Sequence, residues 1–185
     1  MSVMMNYVPD PRPVNTAARW SLVNTYNPGA PATMSVTQDA LTLTGEETTG
    51  NSYATTAIDV PAGEWLLGVR SVSTDVETNP NAPLVRVWDS TSRSYVCYVT
   101  AADLGQSVLK KFTLPAASRL EILLHAPQRA ASITYSHILL CQAACESHLR
   151  GEDIVWWCGD EYESGGGLPP NRIHAYPQCD LVVVA

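Results

Sequence analysis

Basic charge is scarce in this sequence: 11 Lys and Arg stand against 18 Asp and Glu, a formal net charge of −7. The densest basic feature is the pair Lys110-Lys111. Nucleic-acid binding needs a clustered cationic face to neutralise phosphates, and an anionic membrane surface needs the same. The composition argues against both. Long apolar runs are missing too, since no stretch approaches the ~18 residues of a membrane span, and membrane insertion is not expected. The opening segment has neither a basic start nor an apolar run, which predicts no secretory signal and synthesis in a cytoplasm. Phe occurs once, against eight Tyr and five Trp. The aromatic content is therefore mostly amphipathic rings, which suit strands and surfaces that touch something else.

Charged residues make up only 16% of the chain and hydrophobic residues 45%. That balance excludes a solvated coil. The 185 residues fit one domain, and a chain of this size buries about 70% of the surface its unfolded form exposes. It needs no disulfide or metal for stability. The cysteine count is odd: Cys97, Cys141, Cys145, Cys158 and Cys179. In a reducing compartment these read as buried or half-buried thiols.

Helix of crossover length is absent from the pattern, and no internal repeat is present. Pro9, Pro11 and Pro13 alternate with Asp10, Arg12 and Val14, which predicts an extended arm over 1–19. Asn27-Pro28-Gly29-Ala30-Pro31 is a loop. Beyond it Met34, Val36, Leu41 and Leu43 alternate with polar residues, the period of half-buried strands. Strand-like runs then recur at 53–60, 65–72, 84–89, 94–99, 108–114, 119–125 and 132–140, separated by Pro, Gly and Asn. This series predicts an all-β jelly-roll sandwich over 20–142 rather than a parallel α/β sheet. One short helix is expected at 141–150, ahead of Gly151. A C-terminal extension over 143–185 would add a strand at 154–158, a Gly/Pro linker from Ser164, and an apolar strand at 180–185. A terminal strand of that kind needs a sheet to pair with, its own or a neighbour's.

Catalytic signatures are also missing. There is no Gly-x-Ser-x-Gly elbow, and His125, His137, His148 and His174 lie in unrelated contexts. The acidic residues Glu152, Asp153, Asp160, Glu161 and Glu163 lie in polar loops without an opposed carboxylate. Asp160, Glu161 and Glu163 could bind calcium, but no EF-hand spacing supports it. The best metal candidate is Cys141-x3-Cys145-x2-His148 with Cys158, whose thiolates and imidazole suit zinc. The spacing does not match paired Cys-x2-Cys knuckles, and Cys141 and Cys145 on one face of a short helix would also pack inward. No enzyme activity and no cofactor are expected.

A sugar-binding face is harder to dismiss. If Val85 and Val87 face the core, alternation sets Arg86 and Trp88 together on the opposite face. By the same rule Leu120, Ile122 and Leu124 face inward, and Arg119, Glu121 and His125 outward. With Tyr98 on a neighbouring strand, Arg86, Trp88, Glu121 and His125 could line a shallow groove for a sugar. The reading preferred over it is that Trp88 and Tyr98 bury against a loop or a neighbouring subunit.

The opening Asn6-Tyr7-Val8-Pro9-Asp10-Pro11 resembles the Asn-apolar-apolar-Pro-Asn-Pro start of jelly-roll modules in bacteriophage tail proteins and related carbohydrate-binding modules. Asp10 stands where the second Asn is usual, and Trp20 stands where a Trp often closes the first loop. Val60-Pro-Ala-Gly-Glu-Trp, Lys111-Phe-Thr-Leu-Pro-Ala, Arg119-Leu-Glu-Ile-Leu-Leu and Ser136-His-Ile-Leu-Leu-Cys resemble successive strands of the same galactose-binding-like fold. The resemblance spans roughly residues 6–142. It implies a minor tail or other accessory virion protein, assembled in the host cytoplasm. Expected partners are other virion proteins, further copies of the chain in a homo-oligomer, and a host-surface glycan. Tail and capsid locations, the latter as a decoration protein, both remain open.

Overall fold

The computed structural model describes residues 6–8, 19–24, 31–37, 40–46, 51–74 and 79–146. The described strands are β1 (Ser21–Asn24), β2 (Thr33–Thr37), β3 (Ala40–Thr44), β4 (Ser52–Val60), β5 (Gly63–Ser73), β6 (Pro83–Asp89), β7 (Ser94–Thr100), β8 (Ser107–Leu114), β9 (Ser118–His125) and β10 (Ser132–Gln142). They form two five-stranded sheets, ordered β1-β4-β9-β6-β7 and β2-β3-β10-β5-β8, with antiparallel pairing throughout. The all-β sandwich expected from the turn spacing is the fold.

Alternation explains which residues fill it. In β4 buried and half-buried positions alternate almost without exception, so Ala54 and Ile58 face inward. They meet Leu120, Ile122 and Leu124 of β9 and Val85 and Val87 of β6. The second sheet supplies Leu41 and Leu43 from β3, Trp65, Leu67 and Val69 from β5, and Tyr135, Ile138 and Leu140 from β10. Each such side chain contributes roughly 1.5–3 kcal/mol by leaving water. The two inner faces therefore hold the fold together.

Strand β10 carries an irregularity between Ser136 and Leu139 in its pairing with β5. His137 sits there with φ of 54°, a left-handed conformation unusual for a residue with a Cβ. Residues 6–8 support the distorted stretch where β3 no longer pairs. The Asn6 side chain donates to the Ile138 carbonyl at 2.9 Å and accepts from Leu140 N at 3.0 Å and Val8 N at 3.1 Å. Tyr7 N donates to the Leu140 carbonyl at 2.7 Å, and the Tyr7 ring meets Trp65 edge-on at 4.8 Å. This part of the expected arm is built into the sandwich.

The helix expected at 141–150 does not begin there. β10 runs on through Cys141 and Gln142, which pair with Leu66 and Trp65 of β5, and only a 3-10 turn follows at Ala143–Cys145. The ladder to β5 overrides the weak helical preference of an Ala-containing stretch. Residues 147–185 lie outside the described residues, and with them His148, Cys158, the acidic cluster, the linker and the two C-terminal strands.

Candidate functional site

The outward face of the first sheet collects the polar and aromatic residues that alternation excludes from the core. On β6, Val85 and Val87 face inward and leave Arg86 and Trp88 outside. Arg86 lies opposite Tyr98 of β7 and Leu123 of β9, and Trp88 lies opposite Tyr95 and Glu121. On the far side of β9, Leu123 is paired with Thr55, Glu121 with Ala57, and His125 with Tyr53. Arg86, Trp88, Tyr98, Glu121 and His125 therefore share one surface. Arg119 stands apart from them, at 3.5 Å from Asp59.

Aromatic rings run along one side of this face. Trp88 and Tyr95 meet edge-on with centroids 5.0 Å apart, and Tyr95 lies 5.8 Å from Tyr98. The Arg86 guanidinium stands over Tyr95, 5.1 Å from the ring centre. Tyr98 is 49% exposed, so the row opens to solvent. On the other side Tyr53 packs against His125 at 5.7 Å. Buried Leu123 forms an apolar floor between the two groups.

Tyr95 and Tyr53 are the residues that sequence reasoning missed. Simple alternation along β7 would send Tyr95 inward with Cys97 and Val99. The register of β6 and β7 shifts between Val87 and Trp88, which leaves Val96 against the core and turns Tyr95 out. Tyr53 follows the alternation of β4, but only the β4–β9 register brings it to His125.

The electrostatics of the face are those of a surface with unmet hydrogen-bonding capacity. Among the described residues Thr55 Oγ1, Arg86 Nε and His125 Nε2 are buried without a hydrogen-bond partner, and all three belong to residues of this face. Unpaired buried polar atoms cost about 1–3 kcal/mol each, and their concentration on one patch is what a ligand would relieve. His125 was expected to be open to the groove, but it is 4% exposed. Burial, with the Arg86 charge beside it, pushes its imidazole down to about 4. Its ring is therefore neutral near pH 7. Burial raises the Tyr53 phenol, helped by Tyr95 and the Glu121 carboxylate.

Nothing comparable to a nucleophile–base–acid relay is present among the described residues. Ser118 hydrogen-bonds Asp89, and Ser136 hydrogen-bonds His137 at 3.0 Å, but the two pairs sit on different sheets. The metal candidate is not assembled within the described residues either, which hold no cluster of three or more His, Cys, Asp or Glu. Cys141 is buried in β10 and Cys145 falls in the turn after it, so the two do not share a helix face. Among the described residues no helix is long and apolar enough to cross a membrane.

No family model and no curated protein matches the sequence. Solved structures do match the fold. The second N-terminal cellulose-binding domain of Cellulomonas fimi β-1,4-glucanase C aligns with a TM-score of 0.53 at 14% identity, over 77% of this chain and 97% of that one. A domain described under "CBM4 structure and function" aligns at 0.50 and 13% identity, over 69% and 88%. The enzymatically active domain of bacteriophage CBA120 tailspike protein 4 aligns at 0.51 and 15% identity, over 74% of this chain. This chain spans only 21% of that tailspike's length. The shared feature is the sandwich, a carbohydrate-binding-module-like fold.

Proposed function

We propose that the chain is a non-catalytic carbohydrate-binding module that holds a saccharide on the outward face of its first sheet. One observation carries this reading: Thr55, Arg86 and His125 keep buried, partnerless polar atoms on the same face as the Trp88–Tyr95–Tyr98 ring row. A sugar ring has an apolar face that stacks on Trp and Tyr. It also has a rim of hydroxyls, each able to donate and accept, which suits Arg86, Glu121 and Thr55. Similarity of fold to a cellulose-binding domain supports the same reading.

A virion setting is the second reading, and the two are compatible. It is favoured by the recurrence of the sandwich within a phage tailspike chain and by the phage-like opening at Asn6-Tyr7-Val8-Pro9. A copy in a tail or on a capsid would use this face to hold a host-surface glycan.

Affinity electrophoresis tests the binding reading. The full chain is run through native gels containing hydroxyethylcellulose, xylan, mixed-linkage β-glucan or galactomannan. Retardation by at least one polymer is expected, and its loss in a Trp88→Ala variant with an unchanged thermal transition. Equal mobility of both proteins in every gel would contradict the reading. Co-purification of the chain with assembled phage particles would test the virion setting.

A further inference from the structure

At the end of the first sheet a cavity of about 330 Å3 is bordered by Asn79, Asn81, Pro83, His125, Gln128 and Arg129. It lies between the loop that leads into β6 and the loop that leaves β9. His125 connects it to the aromatic face, since the same residue packs against Tyr53 and borders the cavity.

The lining has a definite chemistry. Among the described residues its lining carries no carboxylate, no aromatic ring apart from the imidazole, and one cation, the Arg129 guanidinium. Among the described residues the exposed side chains of Asn81 and Gln128 have no hydrogen-bond partner. Asn79 Oδ1 accepts from Asn81 N at 3.0 Å and so shapes the loop that presents them. Pro83 and Pro127 stiffen opposite walls. A carboxamide offers a donor and an acceptor from one planar group. That pair matches a hydroxyl, which is both at once, and the Arg129 guanidinium adds further donors.

Size narrows the occupant further. The volume falls at the small end of ligand pockets, about 300–1,000 Å3. A single sugar ring fits it. From this geometry we propose that the cavity holds one ring of a saccharide whose other rings lie on the Trp88–Tyr95–Tyr98 face. This rests on the binding reading above. It adds a one-ring subsite at the end of the sheet.

Nuclear magnetic resonance on the 15N-labelled full chain tests it, with cellohexaose, xylohexaose and mannohexaose as probes. At least one hexasaccharide is expected to shift the side-chain amides of Asn81 and Gln128 together with the Trp88 indole signal. The double variant Asn81→Ala/Gln128→Ala should bind that probe at least fivefold more weakly while the Trp88 signal still moves. Both residues are exposed, so the variant should keep the parent's thermal transition. Shifts at Trp88 with unmoved cavity amides and parental affinity in the double variant would overturn the end-pocket assignment and leave the face intact. Cavity shifts without any at Trp88 would overturn it too, since the two sites would not share one chain. No shift at either place with any probe would remove the binding reading and this inference with it.

Discussion

The phenol of Tyr135 in one sheet hydrogen-bonds the backbone carbonyl of His125 in the other, at 2.5 Å, and reaches the Leu84 carbonyl at 3.1 Å. Tyr135 is fully enclosed, and its burial drives the phenol far above its usual range. One hydroxyl thus ties β10 to the end of β9 and the start of β6, the two strands that carry His125 and Arg86. Tyr135→Phe keeps the ring but leaves both carbonyls short of a donor. A loss of about 1–3 kcal/mol is expected in urea unfolding, with weaker saccharide binding because the strand ends loosen. An unchanged midpoint would show that the link does not contribute.

Asn6 should matter in the same way at the opposite end of β10. Its side chain serves three backbone groups, at its neighbour Val8 and, more than 130 residues away in sequence, at Ile138 and Leu140. Asn6→Ala leaves those groups unmet in a buried place, and about 1–3 kcal/mol of stability should be lost. Chemical denaturation checks it. Retention of parental stability would mean that water replaces the amide without cost.

Acid should weaken the fold through two groups of depressed pKa. His125 titrates near 6.5 when unfolded and at about 4 when folded. The unfolded chain therefore binds more protons between those values, and stability falls as pH drops from about 6.5 to about 4. Burial pushes the Asp89 carboxyl up, but hydrogen bonds from Ser118, Ser92 and the Thr91 backbone outweigh it and hold it below the usual value. Its contribution is present above the ordinary carboxylate range and is lost at still lower pH. In thermal melts, His125→Gln should flatten the slope between pH 6.5 and 4 and leave the steeper fall below it. A variant that keeps the parental slope would contradict the assignment.

The thiols of Cys97 and Cys141 should be inert. Cys97 and Cys141 are both buried, and burial raises the Cys97 thiol to about 12, so almost no thiolate forms. Native iodoacetamide labelling at pH 8, read by peptide mass spectrometry, should leave both unmodified until denaturant is added. Rapid labelling of Cys97 in the native chain would mean that β7 opens.

Much of the sandwich is legible in the alternation. The runs at 53–60, 84–89 and 119–125 differ by a residue at most from Ser52–Val60, Pro83–Asp89 and Ser118–His125. These are long, strongly periodic segments where one face must be buried, so pattern and packing agree. The four-residue strand Ser21–Asn24 was not seen, because Ser-Leu-Val-Asn is too short to show a period. The helix at 141–150 failed for another reason. Cys141 and Gln142 read as helical locally but complete a ladder with Leu66 and Trp65, partners some 75 residues away. Register is likewise invisible in the sequence. Alternation set Arg86 beside Trp88, whereas only the β6–β9 and β6–β7 registers bring Glu121, Leu123, Tyr95 and Tyr98 around them.

Two side chains of similar exposure on opposite sheets give the most direct test of the binding face. Tyr98 on β7 is 49% exposed, and Val72 on β5 is 47% exposed. Titration calorimetry would use the polymer that retards the chain most, with Tyr98→Ala and Val72→Ala compared against the parent. Binding on the first sheet predicts about a tenfold loss for Tyr98→Ala, about 1.4 kcal/mol, and parental affinity for Val72→Ala. Parental affinity for Tyr98→Ala with a loss for Val72→Ala would place the ligand on the other sheet and contradict the account.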